Sequence, residues 1–159
     1  MQIRFATPVD VPIITQLVHE LAHYERSADQ VVTTDEEIAL ALFGDQPHVY
    51  CHVAEVDGEV VGFALWFLNF STWLGTPGIY LEDLYVREQA RGAGVGTALM
   101  KELARLCVER GYSRFQWWVL DWNQPSIEFY RSLGAVAMEE WTVFRLSDEA
   151  LLNVASTHE

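Results

Sequence analysis

The stretch from Gly78 to Gly111 constrains the fold more than any other, because a strand-like run, a glycine-rich loop and a helix-periodic run follow one another in it. Gly78-Ile79-Tyr80-Leu81-Glu82-Asp83-Leu84-Tyr85-Val86 is dominated by β-branched, aromatic and other apolar residues and reads as a strand. In Arg91-Gly92-Ala93-Gly94-Val95-Gly96, three glycines within five residues carry a backbone entropy penalty that a plain connection need not bear. Behind it Val95, Leu99, Leu103 and Leu106 keep helical spacing up to Gly111, a natural C-terminal stop. The first N–H groups of such a helix lack acceptors and have no side chains shielding them, so an anion, above all a phosphate, is favoured there, with Arg87 and Arg91 at hand. The plainer reading is a tight turn that only lets strand and helix pack.

Around this unit the chain alternates strands and helices. Ile3 to Ala6 reads as a short strand, and Thr7-Pro8-Val9-Asp10 supplies an N-cap, a proline at the first helical position and an acid in the first turn. The helix that follows runs to about Tyr24, with Ile13, Leu17, Leu21 and Tyr24 on one face. Thr34 and Glu37 form a capping-box pattern before a second, shorter helix. Asp57-Gly58 divides the β-rich run Val49 to Phe70 into a hairpin. Ser71 to Pro77 reads as a loop, Phe115 to Leu120 as a strand, Asn123 to Leu133 as a helix closed by Gly134, and Val136 to Leu146 as one or two closing strands before a short tail helix from about Ser147. The expected fold is one α/β domain over residues 1–159, a mixed, mostly antiparallel sheet of six to seven strands with helices on both faces.

Charge narrows the function. Ten Lys+Arg against 23 Asp+Glu leave a net charge of −13, so a nucleic-acid partner would meet repulsion rather than released counterions. The longest greasy run, Val60 to Leu68, is far shorter than the roughly 18–20 residues that span a bilayer, and no signal-like N-terminal stretch is present. A cytoplasmic protein without membrane partners is expected. Cys51 and Cys107 form no disulfide framework, and His48/His52 and His19/His23 lack a third ligand, so no metal site is expected.

Two further patterns carry chemistry. Glu82 and Asp83 interrupt an apolar strand, one on each face by its period of two. Burial raises a carboxylate pKa in the direction that suits a general base, whereas a strand end, a bulge or a pairing with arginine would make both acids ordinary. Asn123, Ser126 and Tyr130 are spaced three and four apart, so with Asn123 as cap they line one side of a helix. Tyr130 is equally readable as an amphipathic core residue with its hydroxyl in water.

The loop lacks the lysine of a GxxxxGK[ST] phosphate loop, and its GxGxG spacing departs from the GxGxxG dinucleotide fingerprint. Its Arg-x-x-Gly-x-Gly arrangement resembles the pyrophosphate loop of the GNAT acyltransferases. Tyr80 to Val86, Arg91 to Gly96 and Val119 to Tyr130, together with Glu20-Leu21-Ala22-His23-Tyr24-Glu25 and Ser71-Thr72-Trp73, are similar to the diamine acetyltransferase branch of that family, which includes polyamine and thialysine enzymes. Nearly the whole chain takes part.

The resemblance implies an acetyl-CoA-dependent N-acetyltransferase acting on a primary amine of a small cationic molecule: a diamine, a polyamine or a thialysine-like amino acid. It implies that Leu84, Tyr85 and Val86 hold the pantetheine arm, with the Leu84 amide polarising the acetyl carbonyl. Arg91, Gly92, Ala93, Gly94, Val95, Gly96 and Thr97 would hold the pyrophosphate, with Asn123 and Ser126 near the cofactor arm. Tyr130 would be the general acid for the CoA sulfur, and Glu82 would bind the amine and remove its proton. Tyr24, Glu25, Asp83 and Trp73 would line the acceptor site, and a homodimer is expected. Transfer to protein lysine or an aminoglycoside, a non-catalytic acyl-CoA sensor and, more remotely, a nicotinamide enzyme are the competing readings.

Overall fold

The computed structural model describes residues 1–156 and divides the chain into two compact units, one from Met1 to Leu120 and the other from Asp121 onward. The first is built on a sheet of β1 (Gln2–Phe5), β2 (Tyr50–Val56), β3 (Glu59–Ser71), β4 (Thr76–Val86) and β5 (Phe115–Trp117), in that order across the sheet. The first four are antiparallel neighbours, and β5 joins β4 in parallel, so the sheet is mixed as expected. Helices α1 (Val11–Tyr24), α2 (Asp35–Phe43) and α3 (Val95–Arg110) complete this unit.

Local chemistry sets the ends of these elements. The Asp10 carboxylate accepts from the Thr7 N–H at 2.8 Å and from the Arg4 guanidinium at 2.7 Å, which pins the start of α1 to β1. These bonds, those from Arg4 foremost, hold its pKa down at about 2. Thr34 and Glu37 form the expected capping box on α2, and Asp57-Gly58 turns β2 into β3. Gly111 ends α3 at φ +67, where its N–H returns to Cys107 and Val108 carbonyls.

The alternation of β2 and β3 sorts side chains between two layers. Cys51, Val53, Phe63 and Leu65 pack with Ile14, Leu17 and Leu21 of α1 and Leu42 of α2. His52, Ala54, Ala64 and Trp66 point the other way, toward the side that α3 covers with Val95, Leu99, Leu103 and Leu106. Phe63, Trp66, Ile14 and Leu17 are wholly buried, each worth about 1.5–3 kcal/mol of transfer free energy.

Four expectations need correcting. The sheet has five strands, not six to seven. Val136 to Leu146 forms no strand; Val136, Trp141 and Phe144 are exposed, and the segment joins no β-ladder among the described residues. β-propensity measures fit to cross-strand neighbours, so an alternating run without a ladder partner stays irregular. The strand expected over Phe115 to Leu120 stops at Trp117, where pairing to β4 ends. The 71–77 loop is also shorter than read: β3 continues to Ser71 and β4 begins at Thr76. The second unit contains α4 (Gln124–Ser132) and the tail helix α5 (Asp148–Ser156).

Candidate active site

Strand β4 changes character at Glu82. Up to Leu81 it lies between β3 and β5, with Ile79, Tyr80 and Leu81 matched to Phe115, Gln116 and Trp117. Beyond Leu81 the parallel pairing ends, and Leu84, Tyr85 and Val86 pair only with Ala64, Phe63 and Gly62 of β3. The β3–β4 register also slips here: Trp66 faces Leu81 and Leu65 faces Asp83, so Glu82 is the extra residue of a bulge. A bulge bends a strand and re-aims its side chains. It combines with the end of β5 to open one edge of β4 over the residues expected to hold an acyl carrier.

The bulge separates the two acids in environment. Glu82 is exposed and Asp83 half-buried. Burial pushes the Asp83 carboxyl up to about 7, with further contributions from the charges of Glu82 and Glu25. Glu25, which follows the last residue of α1, is itself raised by burial. The structure therefore gathers Glu25, Glu82 and Asp83 into one acidic cluster, in which Asp83 is strongly perturbed.

Next to this cluster is the glycine loop. Gly92 and Gly94 sit at φ +81 and +80, left-handed values that only glycine adopts readily, and nothing lies within 4 Å of where a Cβ would stand on either. Gly94 is the N-cap of α3, so the amides of Val95, Gly96 and Thr97 open the helix with no intrahelical acceptor. An open, side-chain-free backbone at a helix N-terminus fits a pyrophosphate. Arg91 is exposed, donates from Nε to the Val86 carbonyl at 2.8 Å, and lies over the rings of Tyr24 (5.1 Å) and Tyr85 (5.5 Å). Arg87, the other arginine at hand, is held by Glu20 in an ion pair at 2.9 Å, with a second donor at 3.2 Å. Glu20 also accepts from Gln16 and Tyr85. Sequence reasoning missed this tether, whose only signal is the i, i+4 stripe Gln16, Glu20, Tyr24 on α1.

In the second unit Asn123 caps α4, its side chain accepting from the Ser126 N–H at 3.4 Å, and it is buried. The cap sets the phase that puts Ser126 and Tyr130 on its side of the helix, as the spacing predicts. The ring of Tyr130 rests against Phe129 at 5.4 Å. Trp73 sits in the β3–β4 turn, 91% exposed. Eight residues of β4 and its turn separate it from Glu82, about 20 Å along the strand for the part within β4. Within the chain it is not brought to the acids.

A sequence profile described as the acetyltransferase (GNAT) family matches residues 14–135, which takes in most of α1, the bulged strand, the glycine loop and α4. The chain belongs to the GNAT acetyltransferase family. This acetyltransferase is 38% identical over 166 residues to the thialysine N-epsilon-acetyltransferase of Bos taurus, covering 98% of this chain and 97% of that protein. It is 31% identical to an L-ornithine N5-acetyltransferase of Arabidopsis thaliana, over 94% of this chain and 86% of that one. Among solved structures, an integron cassette protein from the mobile metagenome of V. cholerae superposes with a TM-score of 0.83 at 26% identity, covering 98% of both chains. An aminoglycoside acetyltransferase from an uncultured soil metagenomic sample superposes with a TM-score of 0.78 at 20% identity, over 93% of this chain and 96% of that one, and shares the fold. As an acetyltransferase of this family, the protein transfers an acetyl group from acetyl-CoA to an amine.

Proposed function

We propose that the acceptor is a primary amine of a small cationic molecule, a thialysine-like amino acid first and a diamine or polyamine second. The observation that carries this reading is the acidic cluster of Glu25, Glu82 and Asp83 beside the glycine loop: three carboxyls in a protein of net charge −13 attract and orient ammonium groups. The relatives that act on thialysine and ornithine support the same class.

The loop from Arg91 to Thr97 holds the CoA pyrophosphate, Leu84, Tyr85 and Val86 offer backbone groups to the pantetheine arm, and Asn123 and Ser126 are assigned to the cofactor by the family resemblance. The thioester supplies the acyl group. The Leu84 N–H draws electron density from its carbonyl. Because an amine is protonated at neutral pH, Glu82, directly or through water, removes its proton, with Asp83 behind it tuned near neutrality. Tyr130 donates a proton to the departing sulfur. Tyr24, next to Glu25, lines the acceptor side, and the reaction takes place in the cytoplasm. We infer one functional domain, since the family match runs across both units, and a homodimer, which would bury the exposed Trp141, Phe144 and Leu152.

The test is thiol release from acetyl-CoA across thialysine, lysine, ornithine, putrescine, spermidine, spermine and an aminoglycoside. Turnover is expected with thialysine or a diamine. CoA binding without turnover on any small amine would refute the reading in favour of a macromolecular acceptor or an acyl-CoA sensor.

A further inference from the structure

Arg91 belongs to the cofactor loop by position, yet its side chain reaches the acceptor side. Its Nε donates to the Val86 carbonyl at 2.8 Å, and its guanidinium carbon stands 5.1 Å from the centre of the Tyr24 ring and 5.5 Å from that of Tyr85. Both distances fall within cation–π range. No carboxylate pairs with Arg91 among the described residues, so its two terminal nitrogens keep their edge for an anion while its face and Nε are engaged.

The two rings it touches adjoin the acids. Tyr24 ends α1 and is followed directly by Glu25, and Tyr85 lies two residues after Asp83, on the same face of β4. Tyr24 and Tyr85 also pack against the same core cluster of α1, α2, β2 and β3. One guanidinium thus touches the acid-bearing strand β4 through Val86 and Tyr85 and the end of α1 through Tyr24.

We propose that Arg91 is a positioning residue that couples the donor and acceptor sites: an anion held by its terminal nitrogens orders the Tyr24–Arg91–Tyr85 stack, and with it Glu25 and Asp83. This rests on the acceptor reading above. The two ligands then bind with positive cooperativity, and the coupling is the same whichever binds first. Lysine keeps the positive charge near a phosphate but has neither the planar face for two rings nor an Nε to hold the Val86 carbonyl. It separates the coupling from simple phosphate attraction.

The test uses free CoA and thialysine as probes, a pair that cannot react, with calorimetric Kd values for each in the absence and presence of the other. In the unaltered protein each ligand is expected to tighten the other about fivefold or more. Arg91→Lys should still bind CoA but bring the coupling factor close to one, and in turnover should raise KM for thialysine more than it lowers kcat. Tyr24→Leu should likewise abolish coupling, whereas Tyr24→Phe, which keeps the ring, should retain it. Full coupling in Arg91→Lys or Tyr24→Leu, or no coupling in the unaltered protein while thialysine is still acetylated, overturns the proposal alone. Absence of binding and turnover with thialysine and every small amine of the panel overturns the acceptor reading, and the coupling with it.

Discussion

Lowering the pH from 7.5 to 5 should destabilise the protein by about 2 kcal/mol through His52 alone. Its Nδ1 accepts the indole N–H of Trp66 at 3.1 Å, which assigns the ring proton to Nε2, and Nε2 is buried without a partner. Phe5 packs on the ring at 4.1 Å, and the residue has no exposed surface. Protonating Nδ1 would break the Trp66 bond and leave a cation in an apolar layer. Burial accordingly lowers the pKa from 6.5 to about 4, with Arg105 and Arg110 adding to the shift and Glu102 opposing it. The sign follows from proton counting: below pH 6.5 the unfolded chain binds a proton that the native state refuses, so stability falls as the solution is acidified, until the folded ring also titrates near pH 4. At pH 5 the two pKa values give RT ln[(1 + 10^1.5)/(1 + 10^−1)], about 2 kcal/mol, and at pH 7.5 the same expression is close to zero. The assay is urea unfolding followed by tryptophan fluorescence, comparing the protein with His52→Gln, which keeps an acceptor for Trp66 but does not titrate. Asp10 and Asp83 titrate in both proteins, so their effects cancel in the difference. A difference that changes by less than about 0.5 kcal/mol over this pH range would refute the reasoning.

Asp83, pushed up to about 7, should place an acid limb near neutrality on the pH profile of kcat/KM, and Asp83→Asn should remove that limb. The same shift has the opposite stability sign to that of His52. The folded state holds the Asp83 proton more tightly, so stability is lost as pH rises toward 7, and Asp83→Asn should raise Tm more at pH 8 than at pH 5. Gly94→Ala, forced to φ +80, should meet about 1–2 kcal/mol of backbone strain and raise KM for acetyl-CoA about tenfold, with the fold intact by circular dichroism. Tyr130→Phe should lower kcat by about 10²–10⁴-fold while calorimetry finds CoA affinity unchanged, and equal loss of both would contradict a general-acid role.

Most of the local structure is legible in the chain because its signals are local. The Thr7 cap, the Thr34 capping box, the Asp57-Gly58 turn, the Gly94 and Gly111 limits of α3 and the Asn123 cap each depend on residues within one turn of each other. The glycine loop and the Asn123–Ser126–Tyr130 stripe likewise follow from spacing, and the resemblance to the family rests on them together with Tyr80 to Val86, Glu20 to Glu25 and Ser71 to Trp73. What the sequence could not decide depends on partners distant along the chain. Whether Val136 to Leu146 becomes a strand depends on a ladder partner that no residue of the segment supplies. The period of two assigns Glu82 and Asp83 to opposite faces, but the slip against Leu65 and Trp66 makes Glu82 the bulged, exposed residue and gives Asp83 the raised pKa. Arg87 and Arg91 look alike beside the loop until α1 packs on β4, when Glu20 takes the first and Tyr24 receives the second. Propensity and periodicity are properties of neighbours in sequence, whereas desolvation and charge pairing act through space and so are set only by the tertiary structure.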